Sequence, residues 1–223
     1  MDSSIAASLR VAELWRYPVK SMAGQRLEQV ELDDKGFAGD RIVYVRGPAG
    51  RVLTARTRPT LLGHRGTLGA DGQPLVDGRP WRSADVAADV VRAAGDGATL
   101  AYYDGISRFD QLPLLVATDG AIRALGEDGR RLRPNLVIGG VAGLDERSWE
   151  GRTLRIGGAL VGARDLRARC IMTTFDPDTL VQNTEVLERI RREFEGRLAL
   201  NCFVIRGGTI AVGDEVTLCD TNS

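Results

Sequence analysis

Residues 153–166, Thr-Leu-Arg-Ile-Gly-Gly-Ala-Leu-Val-Gly-Ala-Arg-Asp-Leu, contain two short apolar runs joined by a pair of glycines. The runs Thr153–Ile156 and Ala159–Leu166 are rich in apolar and β-branched residues, which is typical of β-strands. Gly157-Gly158 can adopt the positive φ angles that a tight hairpin turn needs. This stretch therefore predicts a β-hairpin, and segments of the same kind recur along the chain.

The other short apolar or alternating segments are also bounded by turn residues. The further predicted strands are Val11–Arg16, Leu27–Leu32, Arg41–Arg46, Arg51–Ala55, Thr99–Tyr103, Leu114–Thr118, Asn135–Ile138, Cys202–Arg206 and Glu215–Cys219. Hairpin turns are predicted at Gly47-Pro48-Ala49-Gly50, Asp71-Gly72 and Gly207-Gly208. This spacing predicts β-meanders that close into a barrel or a sandwich.

Helical patterns are few. Ser83 is a suitable N-cap for Ala84–Ala94, where apolar residues recur at a spacing of three to four until Gly95. Thr118 or Asp119 is expected to cap Gly120–Leu125, and Asn183 or Thr184 to cap Glu185–Phe194, which Gly196 ends. The predicted class is therefore mainly β with α+β elements. The glycine-rich stretch Gly63–Pro80 is either a hairpin or a boundary between two parts of the chain.

The composition excludes several classes of protein. The chain has 223 residues with 30 basic and 30 acidic side chains, so no charge excess indicates nucleic acid or an anionic membrane as a partner. No apolar run approaches the ~18 residues of a membrane-spanning helix. The segment MDSSIAASLR (1–10) lacks the apolar core of a signal peptide. We therefore expect a cytoplasmic protein.

The cysteine and histidine content limits the possible metal and redox sites. Three cysteines without a CxxC spacing do not indicate a disulfide framework, a zinc ribbon or an iron–sulfur site. The single histidine, His64, cannot form a histidine-based zinc centre. Cys202 and Cys219 lie in predicted strands, and we interpret both as structural.

Cys170 differs from the other cysteines because Arg167 and Arg169 precede it. Cationic neighbours favour the thiolate, which is the form that binds soft metals or attacks electrophiles. A polar Thr173-Thr174 pair and the turn Asp176-Pro177 follow, so Cys170 is expected in a loop, where functional groups often lie. The alternative is a buried core cysteine, since free cysteines are among the most buried residues.

Other short polar segments offer groups that bind anions. Arg133 and Asn135 flank Pro134 and combine a planar set of donors with an amide; the alternative is an ordinary surface turn. Lys20-Ser21 follows a turn and can bind an anion through ammonium and hydroxyl groups. Two weaker candidates, Gly39-Asp40-Arg41 and Thr54-Ala55-Arg56, lie at the ends of predicted strands. The glycines of a Walker A loop are missing.

Taken together and in this order, these segments resemble the MOSC family, and within it the branch of the mitochondrial amidoxime reducing component and its bacterial relatives. The resemblance extends from about Val11 to Leu218. The matching segments are Tyr17-Pro18-Val19-Lys20-Ser21, Asp40-Arg41, Thr54-Ala55-Arg56, Leu132–Ile138 with its Arg-Pro-Asn, Trp149, Arg169-Cys170 through Thr179, and Gly208-Thr209-Ile210 with Val212-Gly213-Asp214.

The resemblance implies a MOSC β-barrel fold with few helices and a small N-terminal β-barrel-like part. That N-terminal part would cover residues 10–80, and the MOSC domain, with a helical insertion at 83–95, would cover 81–220, the two packed as one unit. The implied cofactor is molybdenum–molybdopterin, with no pyridoxal phosphate. By resemblance, Cys170 would bind molybdenum, and the phosphate end of the pterin would contact Lys20, Ser21 and Arg41. The remaining implied cofactor-binding residues are Thr54, Arg56, Arg133, Asn135 and Arg169.

The sequence departs from the family pattern near this implied site. Ala168 replaces a serine two places before the cysteine, Gln111-Leu112 replaces Thr-Ser, and Cys202 replaces a tyrosine. The segment Tyr103–Asp110 is shorter than in the mitochondrial enzymes.

The resemblance implies an oxidoreductase that reduces N-hydroxylated or related N–O small molecules. The chain lacks the cysteines of an iron–sulfur cluster and a nucleotide-binding glycine motif, so electrons would come from a separate ferredoxin, flavoprotein or cytochrome-type partner. One alternative is a non-redox protein that uses Cys170 for persulfide transfer or carries the cofactor. Another is a pathway-specific biosynthetic enzyme on the same fold.

Overall fold

The fold is described from a computed structural model, which covers residues 8–220. The expectation that residues 1–10 contain no signal segment falls mostly on residues 1–7, outside the described range. Within that range, none of the helices is both long enough and apolar enough to cross a membrane.

Short strands dominate the described residues, as predicted. The strands are β1 (Arg10–Arg16), β2 (Gln25–Leu27), β3 (Gln29–Asp33), β4 (Gly36–Phe37), β5 (Val43–Arg46), β6 (Val52–Leu53), β7 (Gly66–Leu68), β8 (Pro74–Val76), β9 (Arg79–Pro80), β10 (Thr99–Tyr102), β11 (Leu114–Thr118), β12 (Leu136–Gly139), β13 (Thr153–Ile156), β14 (Ala159–Ala168), β15 (Arg197–Arg206), β16 (Gly208–Ala211) and β17 (Val216–Cys219). The helices are α1 (Ala84–Ala94), α2 (Asp119–Leu125) and α3 (Glu185–Glu193).

Eight strands form one large sheet in the order β17-β13-β14-β15-β11-β12-β1-β2. Gly157-Gly158 forms the predicted hairpin between β13 and β14, with Ile156 paired to Ala159. All pairs in the sheet are antiparallel except β11 and β12, which run parallel. Buried residues such as Leu14, Leu136 and Leu154 form the main apolar core on this sheet.

The large sheet curls but its ladder does not close into a complete barrel within residues 8–220. Its end strands, β17 and β2, are each paired on one side only. The backbone amide of Val11 donates to the carbonyl of Asp214 at 2.9 Å, and the amide of Val216 donates to the carbonyl of Leu9 at 2.8 Å. These bonds bring β1 against the start of β17, so the sheet bends back on itself without a continuous ladder. The mainly β class is confirmed.

Three small sheets complete the fold, in the orders β10-β5-β6, β16-β3-β4 and β7-β8-β9. The predicted turn at Gly47–Gly50 joins β5 to β6, and Asp71-Gly72 joins β7 to β8, so Gly63–Pro80 contains hairpins. The prediction of a hairpin at Gly207-Gly208 is wrong. β16 leaves β15 and pairs with β3, and a Cβ atom on Gly207 would lie 2.4 Å from the carbonyl oxygen of Leu32. Glycine here permits close approach between two sheets.

Helix α1 covers a second apolar core that includes Val19, Val43, Trp81 and Val90. The Ser83 hydroxyl accepts a hydrogen bond from the amide of Val86, as its predicted N-cap role requires. This core draws on residues from both sides of position 80. The division of the chain at 80 and 81 therefore stays a prediction.

Helices α2 and α3 enclose a third apolar core with the start of β15. Thr118 is the N-cap of α2, since its side chain accepts from the amide of Ala121. At the start of α3 the hydroxyl of Thr184 makes no cap bond, and the Asn183 side chain accepts from the amide of Glu185 instead.

Several strand boundaries differ from the prediction, and two of these differences place candidate site residues in turns. Strand β5 begins at Val43, because Arg41 has a left-handed φ of 54° that interrupts an extended chain. Strand β6 ends at Leu53, and Ala55 and Arg56 lie in the following turn, whose amides at Thr57 and Arg58 donate to the Thr54 carbonyl.

Candidate functional site

One cavity is lined by every residue that the family resemblance implies for the site. It has a volume of about 320 Å³ and lies where the loop after β1, the turn after β6, the segment before β11 and the C-terminal end of β14 meet. The predicted residues that line it are Lys20, Ser21, Arg41, Thr54, Arg56, Arg133, Asn135, Arg169 and Cys170. They come from five separate parts of the chain, so their convergence is a property of the tertiary structure.

The cavity is strongly cationic. Seven basic residues line it and one acidic residue, Asp110, does so. The basic residues are Lys20, Arg41, Arg56, Arg131, Arg133, Arg167 and Arg169. A confined excess of positive charge attracts anionic ligands and raises their local concentration.

Left-handed backbone conformations concentrate at this cavity. Seven non-glycine residues in the described range have positive φ angles, and three of them, Ser21 (73°), Arg41 (54°) and Arg133 (56°), line the cavity. Each such residue costs on the order of 1–2 kcal/mol relative to an ordinary conformation. Strain of this kind is kept where the surroundings fix it, and it clusters at functional sites.

Asp110 is the centre of a group of cations at one side of the cavity. Its carboxylate lies 2.7 Å from Nζ of Lys20 and also pairs with Arg56. Burial acts to raise the pKa of Asp110, but the bonds and charges of Lys20 and Arg56 outweigh it and lower that pKa to about 2. The carboxylate is therefore ionised at any physiological pH.

Arg56 links this group to the candidate metal ligand. Burial acts to lower the pKa of Arg56, but its side-chain contact with Cys170 and the carboxylate of Asp110 together raise it above its ordinary value. Cys170 is partly exposed and precedes the short turn Ile171–Thr174, with its carbonyl accepting from the amide of Thr173. Its thiol thus faces a cation and the cavity, and the alternative of a fully buried core cysteine is wrong for Cys170.

Arg133 and Arg169 form a partly buried cationic wall. Burial lowers the pKa of each to about 10. Arg133 stacks over the Tyr17 ring at 4.4 Å and donates to the carbonyl of Met22, while Arg169 donates to the carbonyl of Leu132. The buried Nε atom of Arg169 has no hydrogen-bond partner within residues 8–220. A buried donor without an acceptor is costly, so this wall is suited to an anionic or hydrogen-bond-accepting occupant.

Asn135 lines the cavity, but its side chain is bonded within the protein. Its amide nitrogen donates to the carbonyl of Trp15 and to Asp40, and its oxygen accepts from the amide of Leu115 and from Arg41. These bonds use both donors and both lone pairs of the amide group. Asn135 therefore acts by positioning Arg41 and Asp40 rather than by offering a free polar group.

The residues that the resemblance assigns to the phosphate, Lys20, Ser21 and Arg41, are each held in place by other protein groups. The Ser21 hydroxyl accepts from the amide of Ala55 at 3.0 Å, which joins the Lys20-Ser21 loop to the Thr54–Arg56 turn. Arg41 stacks on Tyr17 and pairs with the buried Asp40, so its guanidinium is fixed at the cavity. Lys20 donates to the carbonyl of Arg108 as well as to Asp110.

Asp110 and Asn201 carry no motif that predicts a place in the site, and Arg167 was predicted only as a neighbour of Cys170. Arg167 donates to the side-chain oxygen of Asn201 at 3.1 Å, and Asn201 donates to Gln111 at 2.7 Å. The signal for Gln111 was present, because it is one of the departures from the family pattern. Cys202 lies buried in β15, as predicted for a structural residue, and burial raises its pKa.

Two family models match the chain. The MOSC N-terminal beta barrel domain matches residues 8–93, and the MOSC domain matches residues 119–217. The chain is 26% identical to mitochondrial amidoxime-reducing component 1 of Homo sapiens and 24% identical to that of Mus musculus. Each alignment covers 93% of this chain and 82% of the relative.

One solved structure shares the fold at low sequence identity. The YuaD protein from Bacillus subtilis superposes with a TM-score of 0.53 at 15% identity, over 95% of both chains. YiiM from Escherichia coli gives a TM-score of 0.46 at 12% identity, over 97% of this chain and 70% of that one.

Proposed function

Because this chain belongs to the MOSC family, with a MOSC N-terminal domain followed by a MOSC domain, we propose that its cavity binds a molybdenum–molybdopterin cofactor. The proposed reaction is the reduction of N-hydroxylated or related N–O compounds. One observation carries the proposal: a single half-exposed thiol, Cys170, opens into a cavity lined by seven basic residues.

The residues of the cavity fit this group chemically. A thiolate is a soft ligand that suits molybdenum, and Cys170 supplies the thiol in contact with the Arg56 cation. A pterin phosphate needs cations and hydrogen-bond donors, which Lys20, Ser21 and Arg41 supply along one side. The orphaned Nε of Arg169 offers a further donor next to Cys170. The volume of about 320 Å³ lies within the ~300–1,000 Å³ range of small-molecule sites.

When bound, such a cofactor supplies the two-electron chemistry, and the protein orients it and tunes its surroundings. Cys170 would be the metal ligand. Arg133 and Arg169 would hold the body of the cofactor, and Arg56 would stabilise the Cys170 thiolate by its positive charge. Tyr17 would keep Arg41 and Arg133 in place, since both guanidinium groups stack on its ring.

The electrons would come from a separate donor protein of the ferredoxin, flavoprotein or cytochrome type. The sequence supports this, since it contains neither the cysteines of an iron–sulfur site nor a dinucleotide-binding glycine motif. We place the protein in the cytoplasm, where reducing conditions keep free cysteines as thiols.

The test is metal and pterin analysis of protein made in a host that synthesises the cofactor. We expect about one molybdenum and one pterin per chain, and we expect Cys170→Ser to lose the molybdenum. Cys219→Ser is the matched control and should keep it, because Cys219 lies in β17 away from the cavity. Reduction of benzamidoxime by a dithionite–viologen donor then tests the reaction. Wild-type protein without molybdenum would contradict the cofactor proposal.

A second candidate function is persulfide transfer or carriage of the cofactor through Cys170. The partial exposure of Cys170 at the cavity favours it, since sulfur transfer needs an accessible thiol. A metal-free protein that carries a persulfide on Cys170, detected by peptide mass spectrometry, would support this function over the first. A third possibility is a biosynthetic enzyme with altered chemistry, which Ala168 and Gln111 favour because both departures from the family pattern line the cavity.

A further inference from the structure

Arg167 occupies a distinct place in the cavity. It lies near the end of β14, three residues before Cys170, and its side chain is 19% exposed at the cavity wall. The proposed roles in holding the cofactor do not use it.

A polar network fixes one side of the Arg167 side chain. Its Nη1 donates to the side-chain oxygen of Asn201 at 3.1 Å. The nitrogen of the same Asn201 amide donates to Gln111 at 2.7 Å and to Asp165 at 2.6 Å, so the amide cannot rotate freely. Within residues 8–220, the Arg167 side chain makes no other hydrogen bond. An arginine has five donors, so the others are available to a molecule in the cavity.

The charges nearby do not neutralise Arg167. Among the described residues, Asp110 is the one carboxylate lining the cavity, and three cations surround it. Its two oxygens are used by Lys20, at 2.7 Å, and by Arg56, while Arg167 stays 3.7 Å away, beyond hydrogen-bond distance. One negative charge offsets one of the three positive charges, so this side of the cavity keeps an excess of positive charge.

We infer that Arg167 is a specificity-determining residue that selects N–O substrates carrying a carboxylate group. This inference rests on the proposed function, and it names the substrate class of the same cavity. A planar guanidinium matches a carboxylate through two parallel hydrogen bonds, which an ammonium cannot form. Asn201 is the positioning residue, because it holds the guanidinium in one orientation three residues from the candidate metal ligand.

The experiment compares two probes that differ by one carboxylate: benzamidoxime and 4-carboxybenzamidoxime. Their dissociation constants are measured by calorimetry on the cofactor-loaded protein. We expect wild-type protein to bind the carboxylated probe at least tenfold more tightly. Arg167→Gln should reduce this preference to threefold or less, and Arg167→Lys should give an intermediate value because it keeps the charge but not the paired donors.

The matched control is Arg155→Gln, which removes an exposed arginine on the neighbouring strand β13 and should keep the wild-type preference. Equal binding of the two probes by wild-type protein, failure to bind either, or an unchanged preference in Arg167→Gln would overturn the inference. So would a loss of pterin from Arg167→Gln, which would assign Arg167 to the cofactor. If Arg167 governs the preference but neither probe is reduced, the carboxylate site stands and the proposed reaction fails.

Discussion

The side chain of Asn135 donates a hydrogen bond of 3.1 Å to the carboxylate of Asp40, which is 95 positions away in the chain and completely buried. Asp40 also accepts from the backbone amide of Tyr17 and pairs with Arg41. This group joins the loop after β1 to the start of β12 and so holds one wall of the cavity together.

Replacement of Asp40 should destabilise the fold. In Asp40→Ala, the Tyr17 amide, the Asn135 amide and the Arg41 guanidinium lose a buried acceptor, and removing one partner of a buried pair costs about 3–5 kcal/mol. We expect the free energy of unfolding, measured by urea denaturation, to fall by about 3 kcal/mol or more. Asp34→Ala is the control, because Asp34 is exposed, and it should change the value by less than about 0.5 kcal/mol. Equal stability of the two variants would show that the buried group contributes little.

Cys170 and Cys202 should differ sharply in reactivity. Cys170 is partly exposed beside Arg56, whereas burial raises the pKa of Cys202 and keeps it as a neutral thiol shielded from solvent. Since the thiolate is the reactive form, we expect iodoacetamide at pH 8 to modify Cys170 at least tenfold faster than Cys202 in native, metal-free protein. Peptide mass spectrometry measures both rates. In urea the two rates should converge; a difference that persisted there would mean that burial does not cause it.

Stability should depend on acid pH through Asp110. Its pKa is lowered to about 2 in the folded state, so its contribution is fully present above its unfolded pKa of about 4 and is lost as pH falls towards 2. The stability difference between wild type and Asp110→Asn should be constant from pH 7 to 5 and shrink below pH 4. It should be at most about 2 kcal/mol, since 31% of the side chain is exposed and water screens the charges.

Asp104→Asn is the control for this measurement. Asp104 is 58% exposed and lies 3.7 Å from Lys35, a surface ion pair expected to contribute below about 1 kcal/mol. Its stability difference from wild type should change little over the same pH range. If the Asp110→Asn difference also stayed constant down to pH 2.5, the carboxylate would not be held by Lys20 and Arg56 as the structure shows.

The two lysines of the chain provide a matched test of the proposed phosphate site. Lys20 lines the cavity, while Lys35 is exposed beside Asp104. A charge-assisted bond contributes about 1.5–3 kcal/mol, so Lys20→Ala should reduce the pterin content per chain by at least fivefold under limiting cofactor. Lys35→Ala should keep the wild-type content. The pterin is measured by fluorescence after oxidation, and equal loss from both variants would indicate a general effect of charge rather than a site.

The amino-acid sequence by itself determined the elements whose causes are local. The Gly157-Gly158 hairpin, the cap of Ser83 on α1 and the cap of Thr118 on α2 depend on residues within a few positions of one another, and all three are present. The sequence also singled out Cys170 by its arginine neighbours and by its family resemblance. A prediction from the sequence was wrong where a strand distant in the chain determines the pairing. Gly207-Gly208 looks like a hairpin, yet β16 pairs with β3 almost 180 positions earlier in the chain.

Only the tertiary structure decided which groups the candidate residues contact and which charges lie beside them. Asn135 offered a free amide by sequence, but folding directs all its hydrogen-bonding groups to Asp40, Arg41 and the backbone. Asp110 had no motif of its own, and its low pKa exists because two other chain segments bring Lys20 and Arg56 beside its carboxylate. Electrostatic interactions depend on distance in space and on burial, which local sequence patterns do not specify.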